Sequence, residues 1–399
     1  MELLLIIATS ITTLILIWCL ACSLYLLLLS LGNSYPRRKK VFKKADKPIK
    51  KIHFLIPAYK NDAVLIKSVE KNFNILSKLT LDWEYVVLGD QLENETKSQL
   101  KSLGVVLFDV QLENPTKSRA INQWLEKTEL EQGSFIFLLD VDNHLVEQNL
   151  HDFLLSVDRE GADWYQFMRT AANQNSDIAS LDAWSEMVNN KWFRTGAQKL
   201  GIRPALIGSG MLAPADSFEN IHAKIDVTGG FDKWVEHYLI KQRIPLVYLP
   251  ELQVLDQKTS NIDALQKQRT RWVSAQFETA KSLFAELLKA LISLRITDFL
   301  KYAQLYLIPR VLHIFLSVAL LFSFFLNENL GLLALVNLTA LLLAIFWVTP
   351  ISWFPKIAMA VVKNGSRIIW NYLSMGKDFK KAKEKFLVTD HGNSEDNSN

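Results

Sequence analysis

Three runs almost free of charge constrain this chain before anything else: Leu3 to Leu31, Val311 to Leu326 and Leu330 to Phe354. A helix needs about 20 apolar residues to cross the hydrocarbon core. The first and third runs are long enough. The second is interrupted only by His313, Ser317 and Ser323 and extended by Tyr302 to Pro309. Asn327-Glu328-Asn329 makes a short polar turn between the last two, so they predict a helical hairpin. A secretory leader would have a basic start and an apolar region of about 7–15 residues. Here Glu2 comes first and the basic cluster follows, which is the pattern of an anchor. Cys19 and Cys22 both lie inside the first run and read as two small packing residues rather than a redox or metal pair. Arg310 and His313 at the start of the second run fit a polar conduit or, preferably, side chains reaching for the interface.

The charge has a sidedness that the total conceals. The 45 Lys and Arg against 41 Asp and Glu give +4, but residues 37–51 contribute +8, residues 377–385 contribute +3, and the remainder is −7. By the positive-inside rule, Arg37, Arg38, Lys39, Lys40, Lys43 and Lys44 face the cytoplasm and put the N-terminus outside. The hairpin then returns the chain, placing Lys377, Lys380, Lys381, Lys383 and Lys385 inside as well. The expected location is the cell (inner) membrane, multi-pass, with the C-terminus inside. Positive charge confined to juxtamembrane stretches favours an anionic leaflet and gives no support to nucleic-acid binding. With 49 % hydrophobic residues and two cysteines, intrinsic disorder and a disulfide-stapled scaffold are excluded.

The expected organisation is an anchor at 1–34, a basic linker at 35–51, a cytoplasmic domain at 52–280 and an interfacial amphipathic helix at 281–302. The hairpin at 303–355, an interfacial helix with a basic segment at 356–386 and a polar tail at 387–399 complete it; whether 356–375 spans or lies on the membrane stays open. In the cytoplasmic segment, apolar runs at 52–57, 84–88, 104–108, 134–139 and 162–167 predict strands. Helical spacing occupies 62–78, 93–102, 117–131 and 146–159. Such alternation predicts an α/β domain with a mostly parallel sheet, and ligands of such sheets bind beyond the carboxyl ends of the strands. Asp140 and Asp142 stand at such an end, after Phe135-Ile136-Phe137-Leu138-Leu139. In an extended chain both carboxylates point to one side with Val141 opposite, which suits Mg2+ or Mn2+ together with substrate phosphates. The plain alternative is an acidic turn with Asn143 capping a helix.

The order of segments resembles the membrane-bound family 2 glycosyltransferases of bacterial type, the superfamily of cellulose, chitin and hyaluronan synthases. Ile56-Pro57-Ala58-Tyr59-Lys60 is similar to its I-P-A-Y/H-N-E opening, and Leu88-Gly89-Asp90 ends where the family places an aspartate for the uracil ring. Lys117-Ser118-Arg119-Ala120-Ile121-Asn122 resembles K-x-x-A-L-N, whose lysine supports the nucleotide. Asp140-Val141-Asp142 matches the D-x-D that holds metal and diphosphate. Gln268-Arg269-Thr270-Arg271-Trp272 fits Q-x-x-R-W, which lies under the acceptor and donor diphosphate. Gly208-Ser209-Gly210 is similar to the family's acceptor-lining segment, a simple loop being the alternative.

The same positions have a physical reading of their own. Tyr59 can stack on a base or be a buried aromatic. Lys117, at a helix start after Pro115, would add its charge to backbone N–H groups in attracting phosphate. Arg271 offers a planar fork for phosphate oxygens, and Trp272 a stacking face or an interfacial anchor. The family's acidic pair before a helix is represented by Phe231-Asp232, with Phe231 in place of the first acid. Counting back from Tyr248-Leu249-Pro250-Glu251, similar to Y-x-P-E, assigns the base to Asp232, with Glu236 one turn on as second choice. A helix N-cap is the bland alternative for Asp232.

The resemblance implies a GT-A-like (Rossmann-like) α/β domain with transmembrane helices at both ends. It implies a metal-dependent, inverting transfer from a nucleotide-sugar donor, a UDP-sugar in the first place, to a lipid-linked or glycan acceptor. A processive synthase working as a homo-oligomer and a non-catalytic scaffold subunit are the alternatives. Three spans hardly enclose a polymer channel, and a transporter would not need so large a soluble segment.

Overall fold

The computed structural model describes residues 2–36, 41–365 and 367. The basic positions 37–40, 377, 380, 381, 383 and 385, most of 356–386 and the tail 387–399 lie outside the described residues.

In chain order the elements are α1 (Glu2–Gly32), β1 (Lys51–Tyr59), α2 (Asp62–Leu76), β2 (Asp82–Asp90), α3 (Asn94–Ser102), β3 (Val106–Val110), α4 (Lys117–Leu125), β4 (Phe135–Leu138), β5 (Asn143–Leu145), α5 (Leu150–Ser156) and β6 (Trp164–Ala171). There follow α6 (Asp177–Asn189), a π-helical segment Asn190–Gly196, α7 (Ala197–Lys199), β7 (Met211–Pro214), α8 (Ala215–His222), α9 (Phe231–Lys241), β8 (Leu246–Asp256) and α10 (Ile262–Ser282). The last part holds α11 (Phe284–Ile292), α12 (Ile296–Ala303), α13 (Arg310–Ala319) and α14 (Glu328–Val348). The described residues form two compact units, one of 41–186 with 204–279, the other of 2–36 with 187–203 and 280–365.

The first unit is built on an eight-stranded sheet in the order β3-β2-β1-β4-β7-β6-β8-β5. Strands β3, β2, β1 and β4 run parallel, as the apolar runs predict. The other half is mixed, which corrects the expectation of a mostly parallel sheet: β7 is antiparallel to β4 and β6, and β5 to β8. Every residue of β4 is buried, the signature of a strand covered on both faces. On one face Phe54, Ile56 and Phe137 pack with Leu65 and Val69 of α2 and Phe153 of α5. On the other, Leu55, Val86 and Leu138 pack with Ile121 and Trp124 of α4, Phe218 of α8 and Val235 of α9. Pro57 interrupts nothing, because the β1–β4 pairing ends at Leu55 opposite Leu138. Tyr59 lies opposite Asp90, and Asp90 opposite Val110, so the parallel strands finish along one edge.

The second unit is helical. Helices α1 and α14 are long and apolar enough to cross a membrane, and the segments Ile296–Tyr306 and Arg310–Phe325, bent by 77° at their junction, would make a third span if counted together. The extension through 302–309 is bent: Pro309 cannot continue a helix from before it, and α13 starts after it. The expected single amphipathic helix at 281–302 is two short helices, α11 and α12, joined through Leu294 in the left-handed region. Leu16, Cys19, Ser23, Leu26 and Ser30 of α1 are buried at alternating three- and four-residue spacing, as are Ala334, Asn337, Leu341, Ala344 and Val348 of α14. Small residues let such helices approach. Cys19 and Cys22 are buried, unbridged packing residues. His313 does not reach for an interface. It is buried, with Nε2 3.2 Å from both Ser23 Oγ and the Cys19 carbonyl. Ser23 donates to Asn337 at 2.7 Å, and Asn337 to Ser317 at 2.9 Å. Arg310 donates to Asn189 at 2.6 Å and sits over the Trp192 ring.

The tightest approach to backbone among the described residues of this unit is at Gly196, where an added Cβ would lie 2.1 Å from the Leu29 carbonyl oxygen. Backbone cannot yield as a flexible side chain would. Gly196→Ala is therefore expected to cost about 1–3 kcal/mol through overpacking. Thermal unfolding of the solubilised full chain would measure this, and an unchanged midpoint would contradict the packing described.

Candidate active site

The edge where β1, β2 and β4 end collects most of the residues singled out in the sequence. Pro57, Ala58 and Tyr59 close β1, with Ala58 buried and Lys60 over the Tyr59 ring at 5.2 Å. Asp90 closes β2 and is buried, its Oδ2 without a hydrogen-bond partner among the described residues. Burial raises its carboxyl above the ordinary range against the opposing charge of Lys60. A cavity of about 540 Å3 opens beside it, lined by Lys97, Asp109 and residues 110–113.

Residues 140–143 form a turn, not an extension of the strand. The Asn143 amide donates to the Asp140 carbonyl at 3.1 Å, and the Asp140 amide to Asn143 Oδ1 at 3.3 Å. The expected alternation of two carboxylates on one side is thereby corrected. Asp140 is partly exposed, whereas Asp142 is buried and accepts from Asn143 at 3.1 Å. Asn143 caps no helix; it opens β5 and also donates to Asp256 at 3.0 Å. Ser68 and Asn72 of α2 donate to its carbonyl and hold the turn from below. Burial first, then the charges of Asp256 and Asp140, pushes the Asp142 carboxyl well above the carboxylate range, with Arg169 opposing.

Asp142 stands beside the carboxylates of Asp140 and Asp256, a donor set of the hard-oxygen kind that suits a divalent cation. Among the described residues no group of three or more His, Cys, Asp or Glu could hold a metal ion.

Lys117 starts α4, after Thr116, whose hydroxyl accepts from the Arg119 amide. Its ammonium donates to Asp140 Oδ1 and to the Gly208 carbonyl at 2.7 Å, and lies 5.4 Å from the centre of the Phe231 ring. Gly208 has φ +87, and a Cβ there would meet Phe231 at 3.2 Å and Asp232 at 3.9 Å. The 208 loop, the start of α9 and the Asp140 turn are thus in contact. Asp232 lies in the first turn of α9, where Gly230, not Asp232, is the N-cap. Glu236 is buried and accepts the Leu206 amide at 2.6 Å. Ser209 and Gly210 are buried, and both carbonyls accept from Gln166.

Gln268, Arg271 and Trp272 all lie on α10. Burial lowers the Arg271 guanidinium, and the charge of Asp140 works against this, so the two groups feel one another. Trp272 is 40 % exposed.

The sequence reading missed the ionic groups behind Asp140. Arg169 of β6 donates to Glu186 at 2.6 Å and comes within 3.8 Å of Asp256 and 3.9 Å of Asp140. Lys258 is buried against Glu186, Asp256 at 2.7 Å and Asp182 at 3.6 Å, and Arg269 donates to Asp182 at 3.0 Å. Asp182 and Glu186, four apart on one helix, were the available signal.

No protein-family model and no curated protein sequence matches the chain. Among solved structures, it is similar to a mannosyltransferase, PcManGT from Pyrobaculum calidifontis, in complex with GDP-Man and Mn2+: 12 % identity over 92 % of this chain and 99 % of that one, TM-score 0.49. It is also similar to the glucosyl-3-phosphoglycerate synthase of Mycobacterium tuberculosis in complex with Mn2+, UDP and phosphoglyceric acid (15 % identity, 57 % and 77 % coverage, TM-score 0.37). A third is the mannosyl-3-phosphoglycerate synthase of Rubrobacter xylanophilus (12 % identity, 60 % and 75 % coverage, TM-score 0.39). Likeness this distant carries no assignment, and the functional reading rests on the residues above.

Beneath Phe231 lies His222, fully buried, its ring 4.0 Å from that of Phe218 and both nitrogens without a partner among the described residues. Burial, and then the charge of Lys117, pushes it down to about 3. A base with a depressed folded value contributes stability above its unfolded value, near 6.5, that is lost as pH falls towards the folded one. Stability should decline below about pH 6.5, and His222→Phe should flatten the profile between there and pH 4. Melting temperatures of both proteins across that range decide the point; parallel profiles would contradict it.

Proposed function

We propose that the chain is an inverting glycosyltransferase with a GT-A-like domain, of the membrane-bound family 2 kind. On this reading it transfers a sugar from a nucleoside diphosphate sugar to a lipid-linked or glycan acceptor. The observation that carries this reading is the meeting of Asp140, Lys117, the Gly208 carbonyl and the start of α9 at the carboxyl edge of the sheet. The donor's base would lie in the cavity beside Asp90, whose buried acceptor oxygen suits an N–H of uracil or guanine.

The diphosphate would lie over the Asp140 turn. Lys117 and Arg271 would hold its oxygens as charge develops on the leaving group. Asp140 and Asp142 would hold Mg2+ or Mn2+, whose charge, when bound, offsets that of the nucleoside diphosphate. Asp232 would take the proton from the acceptor hydroxyl as that oxygen attacks the anomeric carbon. The assignment favours Asp232 over Glu236 because Glu236 already holds the Leu206 amide. One base and no second carboxylate in the role of nucleophile correspond to inversion, by a single displacement. Helices α1 and α14, with the bent pair as a third span, would anchor the enzyme in the cell membrane with its catalytic domain in the cytoplasm.

Purified full-length protein is expected to hydrolyse or transfer from at least one nucleotide sugar in a panel with Mg2+ or Mn2+. Asp140→Asn should abolish turnover, as should a chelator. Asp232→Asn should lower kcat by about 10²–10⁴-fold, the usual contribution of a general base, with donor KM retained. Turnover of no nucleotide sugar by the wild type would favour a scaffold subunit and overturn the proposal.

A further inference from the structure

The charged groups behind Asp140 form an alternating chain that ends on α10. Asp140 faces Arg169; Arg169 faces Glu186 and Asp256; both face Lys258; Lys258 faces Asp182; and Asp182 accepts from Arg269. Apart from Asp140 and Arg269 at its ends, the side chains are about nine-tenths buried. Resting on the donor-site reading above, we propose that Arg169 is a positioning residue for Asp140. We further propose that this chain couples the Asp140 turn to the helix carrying Arg271.

Three features support the proposal. First, the guanidinium is a rigid planar fork: its Nε is taken by Glu186 and one terminal nitrogen faces Asp140 and Asp256. With Lys117 at Oδ1 and Arg169 at Oδ2, both Asp140 oxygens face a cation. A lysine at 169 would supply charge but not a fixed angle. Second, Arg169 lies just past a shift in β6–β8 register, between Phe167 opposite Leu249 and Met168 opposite Gln253. Such irregularities re-aim side chains beside active sites. Third, each interior charge is desolvated, so removing one leaves its neighbour uncompensated and obliges the rest to shift. A disturbance at Asp182 should then reach Asp140, although Asp182 touches Lys258 and Arg269 instead.

The test is the affinity of full-length protein in detergent for Mn2+ with UDP or GDP as probes, measured by calorimetry, on Arg169→Met, Arg169→Lys, Asp182→Asn and the Met–Asn double variant. Arg169→Met is expected to weaken binding of the better probe about tenfold and Asp182→Asn about threefold, the size of effect seen between coupled neighbours. The double variant should bind no more weakly than Arg169→Met, and Arg169→Lys should fall between it and the wild type. Losses that multiply in the double variant, or wild-type affinity in Asp182→Asn, would overturn the coupling. Wild-type affinity in Arg169→Met would overturn the positioning role. If the buried substitutions prevent folding, Arg269→Gln cuts the chain at an end less buried than its interior and must weaken probe binding too. A wild type that binds neither probe instead overturns the donor-site reading, and this proposal with it.

Discussion

Each oxygen of the Asp140 carboxylate faces a different cation, Lys117 at Oδ1 and Arg169 at Oδ2. Lys117 comes from the first residue of α4 and Arg169 from β6, so the orientation of one side chain depends on two elements from either side of the turn. Lys117 also grips the Gly208 carbonyl, which brings the loop before β7 to the same point. The result is a cluster in which opposite charges alternate around one carboxylate. On the function proposed above, a donor diphosphate would compete with Asp140 for Lys117, and Asp140, when holding a divalent ion, would let go of that lysine. The two events favour each other, because each removes the partner the other must displace.

The parallel half of the sheet was legible because buried strands read as near-continuous apolar runs, as 52–57 and 134–139 do. The mixed half was not. Strands β5 and β7 have three and four residues, too few to show a period. Strand β8 contains Pro250, which argues against a strand, yet Pro250 falls in the β6–β8 register shift, between Leu249 opposite Phe167 and Gln253 opposite Met168. The D-x-D position was legible, but its shape was not. The turn depends on Asn72 and Ser68, about 70 residues away on α2. The ionic chain was missed for the same reason: Arg169, Asp182, Glu186, Asp256 and Lys258 look like ordinary surface charges until the fold buries them together.

The helical unit shows the same division between composition and contact. Length and hydropathy together identify α1 and α14. It does not show that Ser23 and Ser30, seven residues apart on α1, both face α14, the first bonding Asn337 and the second the Ala344 carbonyl. Buried polar side chains need partners within the protein, so His313, Ser23, Asn337 and Ser317 find each other across three helices. Read in isolation, His313 suggested a conduit or an interfacial anchor. In place it is a cross-link.

The loop from Leu206 to Gly210 has almost no freedom left. Glu236 takes the Leu206 amide, and Gln166 accepts from Ile207 and donates to the Ser209 and Gly210 carbonyls. Lys117 takes the Gly208 carbonyl, and the Gly210 amide donates to Leu138 of β4. If this loop lines the acceptor site, as proposed, its ordering entropy is already spent before the acceptor arrives. On the same proposal, it explains why a second carboxylate stands one turn beyond Asp232 without competing for the acceptor's proton. Glu236 is needed as an acceptor for backbone, and withdrawing it would loosen the surface against which the acceptor hydroxyl has to be aligned.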